Sequence, residues 1–401
     1  MAAAQTPPAA QPTDAVALSV PATLDLPTAR DMRLDALRGM FLIIMAAVHV
    51  PTPLSKWLHE PFGYLSAAEG FIFLGACLAG YVYAKIRRKL GERTMTLRLW
   101  ARARKIYGVH LALVVLISLS VWPLAGHVWP LANHFHEFLQ QPFRSLLLMP
   151  LLLHQPPLFD ILPLYIVFLG LTPWVMALAQ KHGWGFALLL SAALWVAAQF
   201  HPFTRWTAHP ARLLPVLLGS FNLLGWQFLW VGGLATGEIL MRRPGILARY
   251  RRRLIAPALI VVLAGLLCRH RFGLQPMMVP DFSFWTDKWT LGPLRVLNSV
   301  AWAALLWSWN PRPPRPLLAP TASMGRHSLA VFALHIPLAI AAATAIQLAR
   351  LAPPARVAIG AAVVLCLFLF ARWLDRAPRP RAGAFSAPQK IDVRSRLRAR
   401  D

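Results

Sequence analysis

Apolar segments long enough to cross a membrane recur along the whole chain, and they restrict its fold more than any other feature. A membrane-spanning helix needs about 20 mostly apolar residues. Of the 401 residues, 57% are hydrophobic and only 14% are charged, whereas a soluble domain carries about 25% charged residues. Inside a bilayer the backbone finds no water to bond with, so such segments form helices. The sequence therefore predicts an all-α, polytopic membrane protein.

Ten segments are candidates for spanning helices, and together they form one membrane domain over residues 29–375. The fifth is short for a span, so it could begin earlier or lie tilted. Residues 1–28, rich in Ala and Pro, and residues 376–401, rich in Arg and Pro, are expected to be disordered tails. The ten segments lie near residues 34–53, 63–86, 104–125, 158–180, 184–200, 222–241, 254–270, 292–309, 322–346 and 355–374.

The positions of the basic residues test the number of spans. Arg and Lys cluster between segments two and three, between six and seven, before segment nine and after segment ten. Ten spans with both termini in the cytoplasm place all four clusters inside, as the positive-inside rule expects. The net charge of +26 then reflects topology rather than a nucleic-acid partner. The three cysteines lie in apolar runs without metal-ligand spacing, so no metal site is expected.

The first apolar segment carries three titratable residues on one helix face. Arg38 and His49 are eleven positions apart, which at about 100° per residue returns to the same face roughly 16 Å further along the helix. Asp35 lies on the same face, where it would orient or support the others. An imidazole inside a bilayer is costly and is a functional-site candidate.

Glu69 lies near the outer end of the second segment, at a depth similar to that of His49. A carboxylate that orients an imidazole is the usual arrangement of a general base. We therefore expect a direct Glu69–His49 pair with a catalytic role. The alternative is a polar pair that only holds the first two helices together. Small residues in the same segment, such as Gly75 and Gly80, favour close helix packing.

Two further polar residues are expected to line the same outer cavity. Asp160 opens the fourth segment, where the alternative is a simple helix cap. His335 lies in the middle of the ninth segment, where the alternative is a hydrogen-bonded core histidine.

Arg102, Arg104 and Lys105 stand where the third segment begins. Clustered guanidinium groups bind phosphates well, so these residues could hold a nucleotide-like donor on the inner face. The alternative is that they act only as topology signals.

Six segments of the chain share a recognisable pattern: RDMRLDALRGMFLIIMAAVHVP, GYLSAAEGFIFLGACLAGYVYAK, RKIYGVHL, LFDILPLYIVFLGLTPW, WQFLWVGGLATGE and HSLAVFALHIPL. They resemble the OpgC family, whose members are bacterial inner-membrane proteins that succinylate osmoregulated periplasmic glucans. The resemblance spans roughly residues 30 to 375. In the second of these segments, Gly75-Ala76 replaces the Ser-Gly of the family's own pattern.

The OpgC family is similar to the wider membrane acyltransferase-3 superfamily. Its hallmark, a basic residue followed by ten residues and a histidine, is matched by Arg38 and His49, and it implies that His49 is the catalytic base. The superfamily's RxxR motif is replaced here by Arg102-Ala-Arg104-Lys105. The resemblance assigns these three basic residues, with Arg38, to acyl-CoA binding.

The resemblance implies a transferase in the bacterial inner membrane. Its expected partners are an acyl-CoA donor, succinyl-CoA, used as co-substrate without a bound cofactor, a periplasmic glucan acceptor, the lipid bilayer and glucan-synthesis proteins. Three alternatives stay open: an O-acetyltransferase acting on another cell-envelope polysaccharide, a polytopic transporter, and a scaffold without catalytic activity.

Overall fold

The computed structural model describes residues 31–125, 128–200, 219–244, 246–270, 283–309 and 314–377. All regular elements in these ranges are helices, as the sequence predicts. The expected disordered tails lie almost wholly outside them. In chain order the helices are α1 (Met32–His49), α2 (Ser55–Leu58), α3 (Ala67–Ala125), α4 (Trp129–His134), α5 (His136–Gln140), α6 (Pro142–Leu148), α7 (Ile161–Gln199), α8 (Leu223–Arg242), α9 (Ile246–His270), α10 (Pro293–Trp309), α11 (Arg315–Arg326), α12 (Ser328–Leu348) and α13 (Pro353–Arg376).

Five helices among the described residues are long and apolar enough to cross a membrane. The finding supports a membrane protein, while ten spans with cytoplasmic termini remain a prediction. The five stretches are Ala67–Val121, Ile161–Gln199, Arg249–His270, Ser328–Leu348 and Pro353–Arg376.

The non-helical connection between the second and third predicted segments is much shorter than the sequence predicts. The basic residues from Lys85 to Lys105 lie within α3 and not in a loop. The non-helical residue is Gly91, whose φ of 82° falls in the left-handed region that glycine tolerates best. Gly183, with φ of 85°, divides α7 in the same way into two helices, which correspond to the predicted fourth and fifth segments.

Small residues bring the helices around the candidate site into close contact. A Cβ atom on Gly39 would overlap the carbonyl oxygen of Thr321, and one on Gly325 would overlap that of Asp35. These two contacts press α1 against α11. A Cβ atom on Gly80 would overlap the carbonyl oxygen of Leu234, so α3 packs equally closely on α8. The prediction that small residues in the second segment allow close packing is confirmed.

An ion-pair cluster joins α3 to α8 at the far end of the contact from His49. Arg87 lies 2.7 Å from the buried carboxylate of Glu238, which also accepts from Arg242 at 2.5 Å. Pairing offsets the cost of burying these charges. Arg87, one of the basic residues between the second and third predicted segments, therefore has a structural role.

Candidate active site

A cavity of about 240 Å³ lies at the end of α1 where His49 stands. Its walls come from α1, from the start of α3, from the start of α7, from the residues just before α8 and α10, and from α12. Helices α3 and α7 begin at this cavity, and their N-terminal ends favour negative charge there, whereas α1 ends there at His49. The polar or titratable side chains in the walls are His49, His59, Ser66, Asp160, Ser220 and Lys288.

His49 is held by a second histidine. Its Nδ1 lies 3.0 Å from Nε2 of His335 on α12, and the two rings are stacked with centroids 5.3 Å apart. On its other side, Nδ1 of His335 lies 2.6 Å from the carbonyl oxygen of Phe332. A carbonyl oxygen only accepts, so His335 Nδ1 carries a proton and donates it to Phe332.

This hydrogen-bond chain assigns the protons of both imidazoles. His335 is 2% exposed, and a second proton would bury a charge that no carboxylate of the described residues compensates. His335 is therefore neutral, and its Nε2 accepts from Nδ1–H of His49. The other ring nitrogen of His49, Nε2, is then the unprotonated and therefore basic one. Fixing which nitrogen is basic is how a second residue prepares a histidine base.

Glu69 does not pair with His49, which corrects the sequence-based expectation. The fully buried carboxylate of Glu69 accepts from the backbone N–H of Ser66 at 3.0 Å and from its hydroxyl, and it forms an ion pair with Arg295. Arg295 is 2% exposed and also pairs with Glu60. A buried carboxylate is stabilised far more by a guanidinium than by a neutral imidazole, which explains the different partner.

Asp160 lines the cavity together with His49, as expected. It does not cap its own helix, because no backbone N–H of α7 donates to its side chain. One carboxylate oxygen instead accepts from the backbone N–H of Ser220 at 2.7 Å. The neighbouring Gly219 has φ of 87°, and a Cβ atom there would press on the carboxyl group. Asp160 thus fixes the segment that leads into α8. The expectation that His335 also lines the cavity is wrong: its ring lies behind the wall, because its two nitrogens bond to His49 and to the carbonyl of Phe332.

Arg38 lies at the other end of the α1–α12 contact. It donates to the hydroxyl of Ser328 at 2.7 Å, and its guanidinium lies 5.6 Å from the centre of the Phe71 ring. Asp35, one turn earlier, is 5% exposed and packs through its backbone against Gly325. Arg38 and His49 therefore follow one face of α1 along α12, as their spacing predicts.

Arg102, Arg104 and Lys105 are exposed on α3. Arg102 and Arg38 both lie within electrostatic range of the buried hydroxyl of Tyr165, which donates to the carbonyl of Phe71 at 2.9 Å. Among the described residues, no hydrogen bond or ion pair joins Arg102 to the cavity, so its part in donor binding stays a prediction.

Three site residues are absent from the sequence-based expectations. Arg295 could have been sought because a buried Glu69 requires a cation near the same end of another apolar helix. Lys288 and His59 lie in connecting segments, and their sequence gives no sign that they meet. Partial burial lowers the pKa of His59, and the positive charges of Lys288, Arg269 and Arg295 lower it further.

No curated protein matches the chain, and no solved structure matches it. One family model does match, that of the OpgC protein, over residues 30–379. The match covers α1 to α13 and includes every residue of the cavity and of the His49–His335 contact. The chain therefore belongs to the OpgC family.

Proposed function

We propose that this protein is a membrane O-acyltransferase that moves a succinyl group from cytoplasmic succinyl-CoA to a hydroxyl group of a periplasmic glucan. Membership of the OpgC family supports the reaction class and the acceptor. The observation that carries the assignment of a site is the Phe332–His335–His49 hydrogen-bond chain, which ends at a polar cavity. An O-acetyltransferase acting on another cell-envelope polysaccharide is the nearest alternative.

His49 serves as the general base in this proposal. Its Nε2 accepts the proton of the glucan hydroxyl while the hydroxyl oxygen attacks the thioester carbonyl. A C–O bond forms, the tetrahedral intermediate collapses, and the C–S bond breaks. The proton on His49 then passes to the departing CoA thiolate. His335 accepts from Nδ1 of His49 throughout and so keeps the imidazole in place.

The donor approaches from the side of Arg38 in this proposal. Arg102, Arg104 and Lys105 bind the CoA phosphates, since these side chains are exposed and positively charged. Arg38 guides the pantetheine arm along α1, over the roughly 16 Å that eleven residues of helix span. This arrangement requires α1 to cross the inner membrane with its start in the cytoplasm, as ten spans and the positive-inside rule predict.

The other polar residues shape the acceptor side. Asp160 accepts a hydrogen bond from a second glucan hydroxyl with the oxygen that Ser220 leaves available. Glu69 is a positioning residue and not a catalytic one. Glu69 binds Arg295, and Arg295 also donates hydrogen bonds to the backbone carbonyls of Tyr64 and Thr286. Glu69 therefore helps to hold the two segments that contain these residues beside the cavity.

Replacing His49 tests the proposal. His49→Gln keeps a polar side chain of similar size but removes the base, so glucan acylation should fall by about 10²–10⁴-fold. His182→Gln is a matched control, because His182 is exposed beside the break in α7. Both variants should insert at normal abundance. Glucan acylation near the wild-type level in His49→Gln would refute the assignment of the base.

A further inference from the structure

Lys288 is a cavity-lining cation whose charge no carboxylate pairs with among the described residues. Its ammonium group lies 5.6 Å from the centre of the Trp289 ring, a cation–π distance. The neighbouring cations differ from it in this respect. Arg295 pairs with Glu60 and Glu69, and Arg269 pairs with Glu60.

Lys288 lines the same 240 Å³ cavity as His49, the candidate base. The ammonium lies within electrostatic range of Asp160, but no ion pair forms, and Asp160 accepts instead from the backbone of Ser220. Lys288 therefore remains available to a ligand in the cavity.

A cation in a cavity where two helices, α3 and α7, begin makes the cavity favourable for an anion. The hydroxyl group of a glucan is uncharged and does not need such a partner. The succinyl group is different, because it carries a free carboxylate two methylene groups away from the carbonyl that reacts. When that carbonyl stands beside His49, its carboxylate must lie elsewhere in the same cavity.

We propose that Lys288 binds the free carboxylate of the succinyl group and so selects a dicarboxylic acyl donor over an acetyl donor. This inference rests on the proposed function, since it specifies the acyl group that the same site transfers. Lys288 is then a specificity-determining residue, and it takes no part in moving the proton.

Donor selectivity tests this inference. Full-length protein in proteoliposomes is given glucan and either succinyl-CoA or acetyl-CoA, and kcat/KM is measured for each donor. A charge-assisted hydrogen bond contributes enough that Lys288→Gln should lower kcat/KM for succinyl-CoA by about ten- to a hundredfold. The value for acetyl-CoA should change by no more than about twofold, since acetyl has no carboxylate to bind.

Two control variants make the result specific. Lys288→Arg keeps the positive charge and should recover most of the preference for succinyl-CoA, which also shows that the segment tolerates substitution. Lys181→Gln removes an exposed lysine on α7, away from the cavity, and should leave both donors unaffected.

The outcomes separate the inference from the function on which it rests. An unchanged ratio of the two kcat/KM values in Lys288→Gln, with wild-type succinyl transfer intact, overturns the role of Lys288 alone. An equal loss of kcat/KM with both donors in Lys288→Gln also overturns it. That result would indicate that Lys288 serves as a counter-ion of Asp160 instead. Wild-type protein that transfers neither acyl group overturns the proposed function itself.

Discussion

His335 should act on the reaction only through His49, and this expectation can be tested quantitatively. His335→Leu removes the acceptor that lies 3.0 Å from His49 Nδ1. His49 can then rotate or place its proton on the other nitrogen. A neutral hydrogen bond contributes about 0.5–1.5 kcal/mol, and about 1.4 kcal/mol corresponds to a tenfold change. The variant should therefore lose roughly two- to tenfold in kcat, with KM nearly unchanged.

His335→Gln is the informative partner of this variant. Its side-chain oxygen can replace Nε2 of His335 as the acceptor for His49 Nδ1–H, so kcat should recover toward the wild-type value. The double variant His49→Gln/His335→Leu should be no slower than His49→Gln, because the second residue acts through the first.

The assay is initial-rate acylation of glucan in proteoliposomes, with the amount of inserted protein measured in parallel. Three results would refute the reasoning: full activity in His335→Leu, no recovery in His335→Gln, or a loss in His335→Leu as deep as that of His49→Gln. The last result would indicate that His335 is itself the base.

The remaining predictions concern the donor site and the packing of the helices. Replacing Arg102 and Arg104 by Gln should raise KM for acyl-CoA more than KM for glucan while the protein stays correctly inserted; equal KM values would leave these residues as topology signals. Arg295→Met leaves the buried carboxylate of Glu69 without a cation, while Glu60 keeps Arg269; it should destabilise the detergent-solubilised protein by about 3–5 kcal/mol, seen as a large drop in Tm, and an unchanged Tm would contradict the buried pair. Gly39→Ala should impair folding because its Cβ meets a backbone oxygen, whereas Gly232→Ala, with open space around it, should fold normally; similar yields of the two would contradict the close contact of α1 and α11.

The length of the apolar segments predicts the helices well, because backbone N–H and C=O groups in a bilayer must bond to each other within the segment. The connections are harder to predict. The basic stretch at 85–105 looks like a loop by charge, yet it is helical apart from Gly91. Its arginines and lysines are good helix formers, and one glycine with positive φ is enough to redirect the chain.

In the candidate site, too, helix periodicity predicts which residues share a face, but only tertiary packing determines which residues contact each other. The register of Arg38 and His49 is predictable, because helix periodicity alone sets it. The partner of His49 is not, because the choice between Glu69 and His335 depends on how three helices rotate against one another. Lys288 and Arg295 lie far along the chain from His49 and Glu69. A single sequence gives no sign that these residues meet in the fold.

The most direct test of the central claim is transfer of the acyl group by the purified protein. Proteoliposomes containing it would receive labelled succinyl-CoA and glucan, with no other protein present. The account predicts labelled succinyl ester on the glucan together with an equal amount of free CoA, and neither product with His49→Gln. Glucan that crosses the membrane without becoming esterified, or succinyl-CoA that stays intact, would contradict acyl transfer and favour a transporter.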